Sequence, residues 1–268
     1  MSDLFDFSGR TVFVAGGTSG INLVVAQAFA RAGASVAVLS RTPDKVRAAV
    51  DSLGECGVTA LGFAADVRDY EAVAQGIAAT CTELGEIDVL VSGAAGNFPA
   101  ATDAMSPRAF AAVVDIDLKG TFNVLRAARE HLRTPGSAVI TISAPQASIP
   151  MTLQAHACSA KAGVDMLTRV AALEWAAAGI RVNAVVPGPI EDTEGMSRLA
   201  PTPEMAELVA KSVPMGRYGT AREIADCCLW LASERASYVN GAIIPVDGGW
   251  SLGGASEVFT AMRNLLVE

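Results

Sequence analysis

Basic runs, long apolar runs and paired cysteines are what this 268-residue chain lacks, and each absence closes a class of function. With 28 acidic against 20 basic residues, a formal net charge of −8 and no Lys/Arg cluster, a nucleic-acid-binding surface is not expected. An anionic small ligand stays open, because a few placed arginines bind phosphate within an acidic protein. No apolar stretch runs free of charges or breakers for the length of a bilayer, so no membrane span is expected. The cysteines stand at 56, 81, 158, 227 and 228, an odd count at spacings that fit neither a disulfide framework nor a zinc site. Reduced buried thiols and no bound metal are the expectation. The start, Met1-Ser2-Asp3-Leu4-Phe5-Asp6, has no signal-peptide core, and Leu266-Val267-Glu268 is not the familiar peroxisomal address. A soluble cytoplasmic protein is expected from these features.

What is present is a thickly covered α/β fold. Hydrophobic residues make up 51% and charged ones 18%, too apolar for disorder. Short β-branched runs at 11–15, 35–39, 59–63, 88–91, 138–143, 181–186 and 242–246 alternate with longer alanine-rich segments. That pattern reads as βα units around a parallel sheet covered by helices on both faces. Thr42-Pro43, Ser106-Pro107 and Thr202-Pro203 each set a capping residue before a proline at a first helical position. Thr220-Ala221-Arg222-Glu223 has capping-box spacing. No repeat or linker divides the chain, so 1–268 reads as one domain. Residues 190–215, with Gly195, Pro201, Pro203 and Pro214, are the least regular part and the expected substrate loop.

The first strand runs into Gly16-Gly17-Thr18-Ser19-Gly20-Ile21 and then a helix. Glycines allow a tight turn and close approach to a pyrophosphate, and the helix start supplies free N–H groups. The second strand closes at Ser40-Arg41, without the acidic residue that would bind a free ribose hydroxyl. Arginine there suits a 2′-phosphate, so NADP is preferred to NAD. Asp66-Val67 closes the third strand, where the carboxylate would accept from an adenine amine or cap the next helix.

The glycine turn, Ala94-Ala95-Gly96-Asn97, Lys161, Pro187-Gly188-Pro189-Ile190 and Asp247-Gly248-Gly249 stand in the order of the short-chain dehydrogenase/reductase family, which the chain resembles from Phe7 to Gly249. The resemblance implies a doubly wound sheet of about seven strands, a nicotinamide cofactor and commonly a homotetramer. It also implies cofactor contacts from residues 16–21, Ser40, Arg41, Asp66, Val67, Ala94, Gly96, Lys161, Pro187, Gly188, Ile190 and Thr193. Asn22 departs from the family, which has the last glycine of its turn there.

Within the family the chain looks most like the 2,4-dienoyl-CoA reductases of the peroxisomal type. The stretches behind this are Ala94-Ala95-Gly96-Asn97-Phe98, Asp115-Ile116-Asp117, Leu153-Gln154-Ala155-His156-Ala157, Ser159-Ala160-Lys161 and Gly188-Pro189-Ile190 followed by Thr193-Glu194-Gly195. Carbonyl-reducing relatives place a tyrosine four positions before the lysine and a serine after the fifth strand; here stand Ala157 and Ala144. Neither can donate a proton. In the 2,4-dienoyl-CoA reductases of the peroxisomal type the tyrosine is absent at the same place. Conjugate reduction of a dienoyl thioester needs charge stabilised on the thioester oxygen and a proton delivered to carbon, with no phenol on a ketone. The resemblance then implies catalytic roles for Asp117 and Lys161 and acyl-CoA contacts from Arg41, Arg68, Phe98 and Arg198. His156, beside the vacant position, reads more readily as packing or a subunit contact, and Tyr70, Tyr218 and Tyr238 lie outside the matching positions. Two alternatives stand beside this: another reductase of the family acting on a carbonyl or activated alkene, and a silent NADP-binding scaffold subunit.

Overall fold

The seven expected runs form strands, most of them apolar on both faces and short enough to sit between two helical layers. The computed structural model describes residues 5–200 and 202–253, apart from the side chains of Glu194, Arg198 and Leu199. In chain order the elements are β1 (Thr11–Ala15), α1 (Gly20–Arg31), β2 (Ser35–Ser40), α2 (Pro43–Gly54), β3 (Ala60–Ala64), α3 (Tyr70–Leu84), β4 (Val89–Ser92) and α4 (Pro107–Val114). A π-helical turn, Asp115–Lys119, leads into α5 (Gly120–Ala128), followed by β5 (Ala138–Ile142), α6 (Ala155–Trp175) and β6 (Arg181–Pro187). Helices α7 (Glu194–Leu199), α8 (Pro203–Ser212) and α9 (Ala221–Ala232) precede β7 (Ile243–Val246).

The strands pair in parallel in the order β3-β2-β1-β4-β5-β6-β7. Val12 of β1 is registered with Val36 on one side and Val89 on the other. Strand order therefore reverses between β1 and β4, and the carboxyl ends open a crevice at that switch point. Alternation along the strands fills two cores. Val12, Val14, Val36 and Val38 pack with Phe29 of α1 and Leu229 of α9, while Phe13, Ala37 and Leu39 pack with Ile77 of α3, Leu125 of α5 and Ala171 of α6.

The strand limits differ from expectation by one residue at some ends, where pairing with a neighbour rather than local propensity decides. Two expectations are corrected. The 190–215 stretch is largely helical: the Thr193 and Thr202 hydroxyls each accept from a backbone N–H at 3.3 Å, from Met196 and Met205, and start α7 and α8. Asp66 neither ends β3, which stops at Ala64, nor caps α3; Asp69 does, accepting from Ala72 N at 3.1 Å. The capping box of α9 forms as spaced, between Thr220 and Glu223. Among the described residues no helix is long and apolar enough to cross a membrane.

Candidate active site

The crevice begins where the glycine turn meets the loop after β4. Gly16 has φ +81°, and a Cβ there would lie 2.8 Å from both N and Cα of Ala94, so only glycine allows this backbone contact. Residues 16–21 and 94–96, expected to share a cofactor, are thus in direct contact at Gly16 and Ala94. Gly17 lies against Val14 and Val38, and Thr18 is buried. Ser19 starts α1 without a side-chain capping bond, which leaves the first-turn N–H groups and the positive helix end for an anion.

Ser40 ends β2 and Arg41 follows, exposed. Asp66 accepts from Arg68 three times: backbone N at 2.9 Å, Nε at 3.0 Å and Nη2 at 2.6 Å. The Arg68 guanidinium holds the Asp66 carboxyl below its usual range, and Arg41 adds a smaller pull. Arg68 is therefore already paired with Asp66, although its side chain keeps 44% of its surface exposed. Val67 is buried, and a Cβ at Gly120 would lie 2.6 Å from it. Farther along the crevice Pro187 ends β6, Gly188 packs on Asp247, Ile190 is buried and bridges Gly219, and the Thr193 hydroxyl donates to Ile190 O at 2.9 Å. Arg198 falls in α7, and its side chain lies outside the described residues.

Asp117 and Lys161 come together as expected. Asp117 sits in the π-helical turn, a deviation that recurs at functional sites. Its Oδ1 accepts from Gly96 N at 2.8 Å and its Oδ2 lies 3.5 Å from Lys161 Nζ, which also donates to Ile142 O at 3.0 Å. Both side chains are buried. Ala157 is buried beside them on α6, one turn before Lys161. Sequence reasoning missed Asp165. It is buried one turn after Lys161 and accepts from Ser143 Oγ at 2.5 Å. Burial pushes its carboxyl up, against the opposing pull of Ser143, Arg169 and Lys161. The i, i+4 spacing from Lys161 was the available signal.

The loop after β4 has no regular structure and is laced to the start of α6. Ala100 N donates to Leu153 O at 2.9 Å; Asn97 Nδ2 and Gln146 Nε2 donate to Gln154 Oε1 at 3.0 and 2.9 Å. Leu153 holds φ +66°, a left-handed conformation that costs a bulky residue about 1–3 kcal/mol. Phe98 meets His156 edge-on, ring centroids 4.5 Å apart. His156 is fully buried and its Nδ1 accepts from Ala157 N at 2.8 Å. It packs against Phe98. Tyr218 donates to Ala206 O at 3.0 Å, Tyr70 opens α3 and Tyr238 is fully exposed.

A family model described as enoyl-(acyl carrier protein) reductase matches residues 15–251. The peroxisomal 2,4-dienoyl-CoA reductase [(3E)-enoyl-CoA-producing] of Pongo abelii is 42% identical over 90% of this chain and 83% of its own length. The protein of the same name from Arabidopsis thaliana is 38% identical over 90% of this chain and 84% of its own. Among solved structures, a gluconate 5-dehydrogenase from Burkholderia cenocepacia in complex with NADP and tartrate superposes with a TM-score of 0.87 at 30% identity, covering 94% of this chain and 99% of its own. With the glycine turn, the strand order and the buried lysine in place, the chain belongs to the short-chain dehydrogenase/reductase family, whose fold binds a nicotinamide cofactor, and within it is similar to peroxisomal 2,4-dienoyl-CoA reductases.

Proposed function

We propose that this protein reduces an α,β-unsaturated acyl thioester, a 2,4-dienoyl-CoA, with NADPH. The observation that carries the reading is a crevice that keeps Asp117 and Lys161 paired while Ala144 and Ala157 stand at the two positions for hydroxyl acids. A ketone reduced there would gain charge on oxygen with no hydroxyl at either position to receive it. A dienoyl thioester spreads that charge along the conjugated chain to the thioester oxygen. Bound NADPH supplies the hydride, which enters the far end of the diene. A proton then goes to carbon two, leaving the remaining double bond at carbon three, the product class stated in the peroxisomal relatives' names.

Each group has a part in this reading. Residues 16–21, Ala94 and Gly96 cradle the dinucleotide, Arg41 receives the 2′-phosphate, and Asp66 and Val67 border the adenine. Lys161 holds the nicotinamide ribose and keeps positive charge beside it. Asp117, fixed by Gly96 N, orients a water that carries the proton. Arg41, Arg68, Phe98 and Arg198 receive the acyl-CoA, residues 190–215 close over it, and Pro187, Gly188, Ile190 and Thr193 line the nicotinamide side. The chain, 1–268, works as one domain in a homo-oligomer such as a tetramer, in the cytoplasm. Exposed apolar side chains on α5 and α6, Phe122 50%, Met166 57% and Leu173 81%, support self-association.

The test is NADPH oxidation by the purified protein offered a short 2,4-dienoyl-CoA beside a 3-ketoacyl-CoA. Diene-dependent oxidation with an inert ketone is the expected result. Oxidation with the ketone alone, or with neither despite NADPH binding, overturns the proposal.

A further inference from the structure

The departure at Asn22 has a partner 71 positions away. Asn22 Nδ2 donates to Gly93 O at 2.7 Å, while Gly93 N donates to Ala15 O at 3.0 Å. Ala15 ends β1 and Asn22 lies in the first turn of α1, so Gly93 grips both ends of the glycine turn. Gly93 is not among the glycines with positive φ, so its backbone does not demand glycine. Space does: a Cβ at 93 would lie 2.5 Å from Asn22 Nδ2 and 2.6 Å from Asn22 Cγ. The Asn22 side chain fills the room that a side chain at 93 would need. Its Oδ1 is buried and has no hydrogen-bond partner among the described residues, an arrangement that stability alone disfavours.

We infer that Asn22 and Gly93 are a coupled positioning pair that fixes the spacing between the glycine turn and the loop after β4, and hence the width of the dinucleotide crevice. The family's last glycine lets backbones approach; here an amide side chain bridges them and the facing residue gives up its own. The pair acts through the backbone of residues 16–20 and 94–96. The inference rests on reading this crevice as the dinucleotide site.

The test is a double-mutant cycle on Asn22→Gly, Gly93→Ala and the double variant, reading NADPH dissociation constants and melting temperatures. Gly93→Ala alone is expected to weaken NADPH about tenfold or more, and adding Asn22→Gly to restore affinity to within about threefold of the Asn22→Gly protein. Penalties that multiply in the double variant overturn the pairing. If Gly93→Ala does not fold, a soluble double variant supports the coupling and an insoluble one overturns it. Asn22→Leu keeps the shape and loses the donor; it is expected to weaken NADPH about tenfold when measured well below its melting temperature, and unchanged affinity contradicts the positioning role. Should the parent bind neither NADPH nor NADH, the dinucleotide reading fails, and the melting temperatures still decide the coupling.

Discussion

At the amino ends of the strands Asp88 is buried and fully used: it accepts from Arg10 Nη1 at 2.7 Å, Thr11 N at 2.9 Å and Arg133 Nε at 2.6 Å. At the carboxyl ends Asp117 and Asp165 are also buried, but with fewer partners. Among the described residues Asp117 has one amide and a lysine 3.5 Å away, and Asp165 has one hydroxyl. A cavity of about 980 Å³ opens at the amino end, beside Asp88, Arg10 and Arg181, whose guanidinium donates to Leu231 O at 2.7 Å and Ser233 O at 3.3 Å. At that end Asp88 and the Arg181 guanidinium have their partners. At the carboxyl end Asp117 and Asp165 are buried with fewer partners among the described residues. A buried carboxylate with all its partners ties strands together, whereas one with capacity to spare can hold a water or shift a proton.

That contrast sets the expected order of effects. Lys161→Ala should lower turnover about a thousandfold and weaken NADPH binding, since the site loses its buried cation; turnover within threefold of the parent breaks the comparison at its functional end. Asp88→Ala should cost about 2–3 kcal/mol in chemical denaturation, reduced from a fully buried pair because both arginines are partly exposed, with turnover per folded molecule preserved. A large loss of turnover at unchanged stability would give Asp88 a role in chemistry that its geometry does not provide. Asp117→Ala should lower turnover roughly thirtyfold with NADPH affinity held within about threefold, which steady-state kinetics and cofactor titration separate. Arg41→Asp should move the NADPH-to-NADH preference about tenfold toward NADH, and an unchanged ratio moves phosphate recognition elsewhere.

Asp165 gives the smallest and most discriminating effect. Burial raises its carboxyl above 3.8, so the folded state binds the proton more tightly than the unfolded chain. Its contribution to stability is therefore present at low pH and is lost as pH rises from 3.8 through the raised folded value. Asp165→Asn should gain stability relative to the parent on going from pH 4 to pH 7. A gap between the two proteins that does not change with pH, measured by thermal melts, removes this carboxylate from the sparsely partnered class.

Much of this was legible in the chain because it is local. The strands announce themselves as β-branched runs, the helix starts at Thr42, Ser106, Thr202 and Thr220 by capping residues, and the glycine turn by its place after the first strand. The Asp117–Lys161 pairing was reached through family resemblance, since no local rule joins residues on separate helices. Helix α7 was hidden by Gly195, although Thr193 caps it. Asp165 was visible in spacing but carries no motif. What the chain did not disclose is non-local: Gly93 against Asn22, Phe98 against His156, and Gln154 drawing in Asn97 and Gln146. Those contacts depend on how the sheet brings distant loops to one end.

The most direct test of conjugate reduction without a hydroxyl acid is to run the reaction with NADPH and a 2,4-dienoyl-CoA in D₂O and locate the deuterium in the product. The account expects a single solvent deuterium at carbon two, none at carbon five, and the remaining double bond at carbon three. Solvent deuterium at carbon five, or no reduced acyl-CoA at all, would contradict it.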